Sequence, residues 1–403
     1  MSGDSGSHDP GGSYQDSFSD SSGGSSFTEV THQSWFQRLG NALVGILFGL
    51  ILLPVAGFLL FWNEGRAIQT ARSLDEGAGV IRTVSPDRPD PAHEGMLVHV
   101  VGPTRVARTP RDPDLQVVPP EGTLRLTRTV EMYQWQEQTS SETRTRLGGG
   151  QETVTTYSYR RVWAEGRFDS ANFRQPDGHQ NPQARYATRS FNAERVMLGG
   201  FQISDTQLNG VPTETPLSIP GGNADGGRYI GQDPGNPRVG DLRITWRVAN
   251  PGALSVIGAQ MGDGFGPYAT RAGDALFMIQ PGRVPAAVMF QQAHDENRLF
   301  TWLMRLAGLV LMFLGFLVIF NPFRVLADVV PFIGSIVGFG TALLAAVLAL
   351  VIAPTIMAIG WLFYRPLVGI AILAAGIALA YGLTRLRRRR PAIASTTGQG
   401  NPA

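Results

Sequence analysis

The sequence predicts a membrane protein with four transmembrane helices and one large β-rich extracytoplasmic domain, an α+β fold overall. Three observations support this prediction. Long apolar runs with almost no charge lie near both ends of the chain, over residues 42–62 and from residue 299 onward. The segment between them alternates polar residues with β-branched and aromatic ones, a pattern typical of strands. Arginines flank the apolar runs mainly on what would be one side of the membrane.

The first apolar run contains 21 positions without a charge, enough to cross the ~30 Å hydrocarbon layer of a bilayer. We therefore predict a first transmembrane helix over residues 39–62, with Trp35 and Trp62 near its two interfaces. A signal peptide is the alternative interpretation. It fits the sequence less well, because the run begins only after 41 residues and no small-residue cleavage site follows it.

Three further transmembrane helices are predicted near the C-terminus, over residues 299–320, 342–363 and 366–384. The 35 uncharged positions from Val329 to Phe363 are too many for one straight span. Residues 321–341 are therefore expected to form an interfacial or re-entrant segment. With four spans, both termini lie on the same side of the membrane, and Arg38 and Arg324 indicate that this side is cytoplasmic.

Both ends of the chain are predicted to be cytoplasmic tails. Residues 1–34 contain 17 glycines or serines and few apolar groups, so this tail is predicted to be disordered. Residues 385–403 begin with a basic cluster that favours cytoplasmic placement and could also attract anionic lipid, namely Arg385, Arg387, Arg388, Arg389 and Arg390. Nucleic acid is not an expected partner, because the net charge is only +2 and no nucleic-acid-binding motif accompanies the arginines.

The composition bears on localisation and on cofactors. All 34 basic residues are arginine and lysine is absent, which we interpret as the bias of a GC-rich bacterial genome. The predicted location is therefore a bacterial inner membrane. Cysteine is also absent, which excludes disulfides, thiol catalysis and cysteine-based metal sites. No cofactor is expected.

The β-rich domain is predicted over residues 63–298. A short helical extension of the first span is expected to end at Gly77 or Gly79. Residues 123–138 and 152–166 are predicted to form a hairpin around the three glycines at 148–150. Further strands are predicted over residues 96–101, 196–203, 242–248, 254–259, 276–279 and 286–291.

Two groups of side chains resemble metal ligands but are not predicted to bind metal. His294, Asp295 and Glu296 are consecutive, and adjacent residues in a strand point to opposite faces. Asp112 and Asp114 flank a proline in the manner of a weak calcium-binding turn, but we predict an ordinary turn there.

Glu131 and Glu137 could in principle supply acid–base chemistry. Both lie on the first strand of the predicted hairpin, where exposed carboxylates commonly face arginines on the neighbouring strand. We therefore expect them to lie opposite Arg160 or Arg161. No catalytic residue is predicted.

Small residues at helical spacing are candidate helix-packing positions, because they let helix backbones approach closely in lipid. Gly45 and Gly49 form a GxxxG motif on the first span. Whether they pack within one chain or between two chains is left open. The third and fourth spans carry small-residue positions at Ala345, Ala349, Ala353, Ala371 and Ala375.

Charged residues near the outer ends of three predicted spans are expected at one depth. Glu64 follows Trp62, Arg305 follows Trp302, and Arg365 follows the third span. Pairing is favoured at a partly dry helix junction. We predict a polar cluster in which Glu64 or Arg66 joins Arg305 or Arg365, with the Glu64 carboxylate within about 6 Å of a guanidinium.

Several long motifs resemble the transmembrane protein 43 (LUMA) family, in matching order and spacing over roughly residues 35–390. They are FWNEGRAIQTARSLDEG (61–77), EMYQW (131–135), TTYSYRRVWAEG (155–166), HQNP (179–182), VGDLRITW (239–246), NRLFTWLMRLAG (297–308) and GWLFYRP (360–366). The N-terminal tail lies outside this resemblance.

The resemblance implies a membrane-organising role without enzyme activity. Animal members of the family lie in the endoplasmic reticulum and inner nuclear membrane, where they self-associate and are associated with emerin and lamins. A bacterial cell has no nuclear envelope, so only the membrane architecture and the scaffold-like role are expected to carry over. The expected partners are the bilayer, a second copy of the chain and an unidentified envelope protein or lipid. The alternative is an extracytoplasmic enzyme or lipid-handling domain acting on membrane components.

Overall fold

The structure is a computed structural model that describes residues 15–18, 26–222, 226–367, 370 and 374. This part of the chain contains four α-helices: α1 Trp35–Val80, α2 Asp205–Leu208, α3 Ala286–Ala327 and α4 Pro331–Tyr364. Three of them, α1, α3 and α4, are long and apolar enough to cross a membrane. The fourth predicted span, residues 366–384, lies almost wholly outside the described residues.

Helix α1 is 46 residues long and contains both the first apolar run and the predicted helical extension. It begins with a capping box, in which the Ser34 side chain accepts from the Gln37 backbone and the Gln37 side chain accepts from the Ser34 backbone. Pro54 lies inside the apolar part without ending the helix. The helix ends at Val80, close to the predicted end, and its last turns, from Gln69 onward, contact the β region.

The two C-terminal helices differ from the predicted boundaries. Residues 286–291, predicted as a strand, form the first turns of α3, because Met289 and Phe290 bury one helical face. A short apolar run alone does not distinguish a strand from a buried helical turn. Of residues 321–341, predicted as an interfacial or re-entrant segment, 321–327 belong to α3 and 331–341 belong to α4, whose first turn contains Pro331. Proline is well tolerated there because the first-turn amide has no partner within the helix.

The described strands build two large sheets and one separate two-stranded sheet, which consists of the strands numbered β15 and β16 below. Their bounds are β1 Gln15–Phe18, β2 Ser26–Gln33, β3 Arg82–Val84, β4 Leu97–Arg108, β5 Arg125–Thr145, β6 Gln151–Glu165, β7 Arg189–Asn192, β8 Glu194–Leu198, β9 Phe201–Ile203, β10 Thr215–Pro216, β11 Arg228–Ile230, β12 Leu242–Ala249, β13 Ala253–Met261, β14 Gly264–Gly266, β15 Tyr268–Ala269, β16 Ala275–Leu276 and β17 Met278–Pro281. We call residues 81–285 the β domain.

One sheet has the order β1-β2-β6-β5-β12-β10, with β11 paired to β12 and β7 to β5. The other has the order β17-β13-β14-β9-β8-β4-β3, and pairing of β13 with β4 closes it on itself. The predicted hairpin is β5–β6, in the register Glu131–Glu165 to Thr145–Gln151. The remaining predicted strands correspond to β4, β8, β9, β12, β13 and the β16–β17 region.

Each sheet covers its own apolar core. Val98, Val196, Phe201 and Val256 belong to the core of the closed sheet. Met132, Ile244 and Trp246 belong to the core on the other sheet. Along β5, β8, β9 and β12 the core residues alternate with less buried ones, as the period-2 pattern in the sequence predicts, whereas residues 97–100 of β4 and 254–260 of β13 are buried on both faces.

A third apolar cluster joins the β domain to the helices. Leu74 of α1 and Met289 and Phe290 of α3 pack against Leu97 and Ile257 of the closed sheet. Both helices therefore continue without a break from their apolar segments into the domain core. Because a helix is a stiff element, this arrangement fixes the domain relative to the helix bundle.

Part of the predicted disordered tail is ordered. Residues 26–33 form β2, which pairs antiparallel with the edge of β6 from Ser26–Ser158 to Gln33–Gln151. The segment is too polar to build a core, but it does not need one, because β6 supplies an open edge for backbone hydrogen bonds. Glu29 adds an ion pair of 2.7 Å with Arg174.

The outer part of the β5–β6 hairpin, residues 133–163, runs back along the helix bundle; we call it the hairpin arm. Its 13 residues per strand span about 43 Å, and the 26 residues of α1 between Arg38 and Glu64 span about 39 Å. At its tip, the Gly148 amide donates to the Val329 carbonyl at 3.1 Å. The arm thus extends from the β domain to the opposite end of the bundle.

This arrangement conflicts with the predicted topology of two segments. Residues 1–34 were expected on the cytoplasmic side and the whole of residues 63–298 outside. The pairing of β2 with β6 places residues 26–33 and the hairpin arm in one sheet, so no bilayer separates them. The prediction fails for these segments because strand pairing over long range leaves no trace in local charge.

Candidate functional site

A charged junction ties α1, α3 and α4 together near the β domain, and we call it the domain-proximal junction. The Glu64 carboxylate of α1 accepts two hydrogen bonds from Arg305 of α3, at 2.7 Å from Nε and 2.8 Å from Nη2. The Glu64 side chain is only 2% exposed. A bidentate guanidinium–carboxylate contact fixes both side chains and neutralises the buried charge. The structure thus brings together two of the four residues of the predicted cluster.

Arg66 lies next to this pair but binds neutral partners. Its guanidinium donates to Asn297 Oδ1 at 3.0 Å and to Thr301 Oγ1 at 3.1 Å. The Asn63 side chain, one turn earlier on α1, donates to the Thr301 carbonyl at 3.2 Å. This row of polar contacts continues the α1–α3 interface toward the domain.

Arg365 makes no ion pair among the described residues. Its guanidinium lies 5.7 Å from the centre of the Trp361 ring. Together with Glu64, Arg305 and Trp361 it lines a cavity of about 370 Å³. Arg72 of α1 donates to the Tyr364 carbonyl at 2.7 Å, which attaches the end of α4 to the same face.

A second charged junction lies at the other end of the bundle, and we call it the domain-distal junction. Arg38 of α1 forms a buried ion pair with Asp328, the residue after α3. Its Nη1 also donates to the Gly149 carbonyl at the hairpin tip, at 2.6 Å. One guanidinium therefore connects α1, the α3–α4 turn and the hairpin arm.

The hairpin tip requires glycine at this junction. Gly149 has a φ of +80°, and a Cβ there would lie 2.2 Å from Trp35 Cδ1. Only glycine combines this backbone conformation with so close an approach. The Trp35 indole nitrogen donates to the Val325 carbonyl at 2.8 Å, which holds the ring under the tip. Trp35, predicted as an interfacial residue, is thus a structural contact between α1 and α3.

The GxxxG motif of α1 packs within the chain. A Cβ on Gly49 would lie 2.5 Å from Ile319 Cγ1 and 2.8 Å from the Gly315 carbonyl oxygen. Gly45 lies against Val318. Because α3 occupies this face, the motif is not free to bind a second copy of the chain.

The small residues of α4 also lie inside the bundle. Ala345, Ala349 and Ala353 are all buried, and the last two belong to an apolar cluster with Leu60 and Met312. Ala371 and Ala375 and the arginines Arg385, Arg387, Arg388, Arg389 and Arg390 lie outside the described residues.

Three of the residues considered as metal ligands, Asp112, Asp114 and His294, have structural partners. Asp112 is completely buried, pairs with Arg128 at 2.7 Å and accepts from the Trp246 indole at 3.1 Å. Asp114 also contacts Arg128, at 3.0 Å. His294 lies on α3, where its Nε2 is 3.3 Å from Asp75. The consecutive triplet at 294–296 is therefore helical.

The two hairpin carboxylates do not face the expected arginines. Glu131 lies opposite Glu165 and contacts Arg243 of β12 at 3.8 Å. Glu137 lies opposite Tyr159 and accepts its hydroxyl hydrogen at 2.7 Å. The expectation was wrong because the partners depend on the hairpin register and on the neighbouring strand β12. Neither is visible in the local sequence.

The sequence pattern does not predict the domain-distal junction. It indicates a topological role for Arg38 and does not single out Asp328. A usable signal existed, because Asp328 is a lone carboxylate between two long apolar runs, and such a charge needs a partner. The identity of that partner depends on which helix ends meet.

Comparison with known proteins agrees with the family resemblance of the sequence motifs. The family model for transmembrane protein 43 matches residues 132–366, more than half of the chain. Human transmembrane protein 43 is 34% identical over 369 residues, covering 86% of this chain and 90% of the human protein. The Drosophila melanogaster homolog is 30% identical over 361 residues, covering 84% and 94% of the two chains.

Rat transmembrane protein 43 is 33% identical over 363 residues, covering 84% of this chain and 89% of the rat protein. No solved structure matches the chain. The matched residues include α3, α4 and most of the β domain, and the aligned relatives extend over nearly their full length. The chain belongs to the transmembrane protein 43 family.

Proposed function

We propose that this chain is a non-enzymatic, multi-pass membrane scaffold whose β domain binds an envelope protein or lipid. The observation that carries this proposal is the rigid connection between domain and bundle. Helices α1 and α3 are continuous from the apolar segments into the domain core, and charged junctions join the helices at both ends. A domain held at a fixed position relative to the membrane suits a role in positioning other molecules.

The environment of the candidate catalytic residues supports a role without catalysis. Glu137 accepts the Tyr159 hydroxyl hydrogen, and Glu131 contacts Arg243 on the neighbouring strand. A carboxylate engaged by a hydrogen bond or an ion pair is less well placed to exchange protons with a substrate. The alternative, an enzyme or lipid-handling domain, has its best support in a cavity of about 580 Å³ bordered by Phe277, Met289 and Glu296.

Self-association is the second part of the proposal, and the hairpin arm supports it. From Gln138 to Arg144 the first strand of the arm is exposed and polar on both faces. Lipid cannot solvate such a strand at the depth of the apolar helix segments. A second copy of the chain that covers the arm, or shares a water-filled space with it, would resolve this conflict.

We place the protein in a bacterial inner membrane, with the body of the β domain outside the cytoplasm. The arginine-only composition supports the bacterial assignment, and Arg38 and Arg324 support a cytoplasmic domain-distal end. A reporter active only outside the cytoplasm should work when inserted at Gly262, in an exposed turn of the domain. The same reporter should fail after residue 398.

The scaffold proposal is tested by isolating the intact protein from native membranes and identifying what co-purifies. We expect a protein or lipid enriched at a constant ratio to the chain, compared with an unrelated multi-pass protein purified in parallel. The same sample should contain more than one copy of the chain by mass measurement. Turnover of membrane components by the purified protein, lost on filling the Phe277 cavity with Gly210→Leu, would instead support the alternative.

A further inference from the structure

The cavity at the domain-proximal junction has the composition of an anion site at a membrane interface. Helices α1, α3 and α4 all contribute to its lining, and its volume is about 370 Å³. Its charged residues are Glu64, Arg298, Arg305 and Arg365, and its aromatic residues are Trp302 and Trp361.

Positive charge is in excess in this cavity. Three arginines line it against one carboxylate, and Glu64 is already engaged by Nε and Nη2 of Arg305. Within the described part of the chain, Nη1 of Arg305 makes no hydrogen bond and Arg365 makes no ion pair. Arg298 is 70% exposed and contacts Asp295 only at 3.7 Å. Donors on three guanidinium groups therefore remain available to an anion.

The aromatic residues orient the guanidinium groups. Arg305 lies 4.8 Å from the centre of the Trp302 ring, and Arg365 lies 5.7 Å from that of Trp361. Stacking on an aromatic face restricts an arginine side chain without using its hydrogen-bond donors. Tryptophan also marks the depth of lipid headgroups in membrane proteins.

Apolar surface continues from the cavity along α3 toward the centre of the bundle. Leu309 and Phe313, one and two turns beyond Arg305 on the same face of α3, line an apolar cavity of about 260 Å³ together with Leu350 of α4. A molecule with an anionic head in the cavity could therefore lay a hydrocarbon chain on this surface. A free inorganic anion would make no use of it.

We propose that this cavity binds the phosphate group of an anionic glycerophospholipid. Guanidinium groups recognise phosphate through paired, charge-assisted hydrogen bonds. Arg298 and Arg365 contact the phosphate, and Arg305 contributes its remaining nitrogen while staying paired with Glu64. This site goes beyond the scaffold role and does not depend on it.

The test compares lipid binding by the intact protein and by single variants in detergent. Lipid occupancy is measured by native mass spectrometry during titration with phosphatidylglycerol or phosphatidylcholine. We expect R298Q and R365Q each to weaken phosphatidylglycerol binding about fivefold, as expected for an arginine near an anionic headgroup. R298Q is the variant least able to disturb folding, because its side chain is exposed. The matched control is R283Q, which removes an exposed arginine before α3.

Each remaining outcome decides for or against the site. Equal binding of the two lipids by the wild-type protein, or equal losses in R283Q and R298Q, would overturn the proposal. Displacement of the lipid by millimolar inorganic phosphate would show a general phosphate site and would overturn the lipid assignment. Resistance to phosphate, with selective loss in R298Q, would support it.

Discussion

Replacing Glu64 by glutamine removes the negative charge of the domain-proximal junction while keeping the size of the side chain. Arg305 would then keep its positive charge beside a neutral amide, which can accept only one of the two hydrogen bonds. The change therefore leaves a half-buried guanidinium without its counter-charge. We expect the free energy of unfolding to fall.

The size of the effect follows from burial. Removing one partner of a fully buried ion pair costs about 3–5 kcal/mol, because the remaining charge is uncompensated. Glu64 is almost completely buried, but the Arg305 side chain is 25% exposed and partly reached by water. We therefore expect a loss of about 2–3 kcal/mol, below the fully buried range.

The assay is equilibrium unfolding in mixed micelles, with helix content followed by circular dichroism. Glu142→Gln is the matched control, because Glu142 pairs with Arg144 on the hairpin arm and both side chains are about two-thirds exposed. An exposed pair contributes about 0–1 kcal/mol, so this variant should be nearly as stable as the wild type.

A double variant tests the assigned mechanism. If the loss in Glu64→Gln comes from an unpaired arginine, adding Arg305→Gln should restore part of the stability. The explanation is refuted if Glu64→Gln costs no more than Glu142→Gln. It is also refuted if the Glu64 and Arg305 changes simply add.

Three further predictions concern other parts of the molecule. Gly49→Leu should lower the free energy of unfolding by about 1–3 kcal/mol, because its side chain would collide with α3. Gly40→Leu on the same helix has open space and should leave that free energy nearly unchanged. Equal losses in the two variants would contradict the packing of Gly49 on α3. Cysteines replacing the register partners Thr31 and Thr153 in this cysteine-free chain should form a disulfide, and failure to cross-link under oxidation would refute the β2–β6 pairing. Burial lowers the pKa of His99, against a smaller opposing effect of its hydrogen bond to the Val284 carbonyl, so protons bind the unfolded chain more tightly. The free energy of unfolding should therefore be highest above about pH 6.5 and fall as the pH is lowered. His99→Gln should reduce this dependence on pH, and an unchanged dependence would exclude His99 as its source.

The sequence predicts best the features that depend on local pattern. Apolar length locates α1, α3 and α4, and period-2 alternation locates the hairpin β5–β6. Boundaries are less well predicted. Residues 286–291 and 331–341 are helical because of packing against residues that are distant in the sequence. A short window of sequence does not contain those packing partners.

The contacts of the candidate residues also divide into those that the sequence predicts and those that it does not. The proximity of Glu64 to Arg305 follows from position, since each lies within three residues of an interfacial tryptophan and so at similar depth. The partners of Glu131, Glu137 and Asp328 do not follow from position. They depend on hairpin register, on the neighbour of β5 and on the ends at which helices meet.

Membrane insertion, the helical and strand segments and family membership are determined by the sequence itself, because each rests on hydropathy, periodicity or long motifs. Only the tertiary structure decides that the GxxxG motif of α1 packs on α3 within the chain and that residues 26–33 pair with the hairpin arm. The same holds for the connection that Arg38 makes between α1, the α3–α4 turn and the hairpin arm. The physical reason is that these contacts join residues more than a hundred positions apart. Their energy depends on geometry that no local stretch of sequence contains.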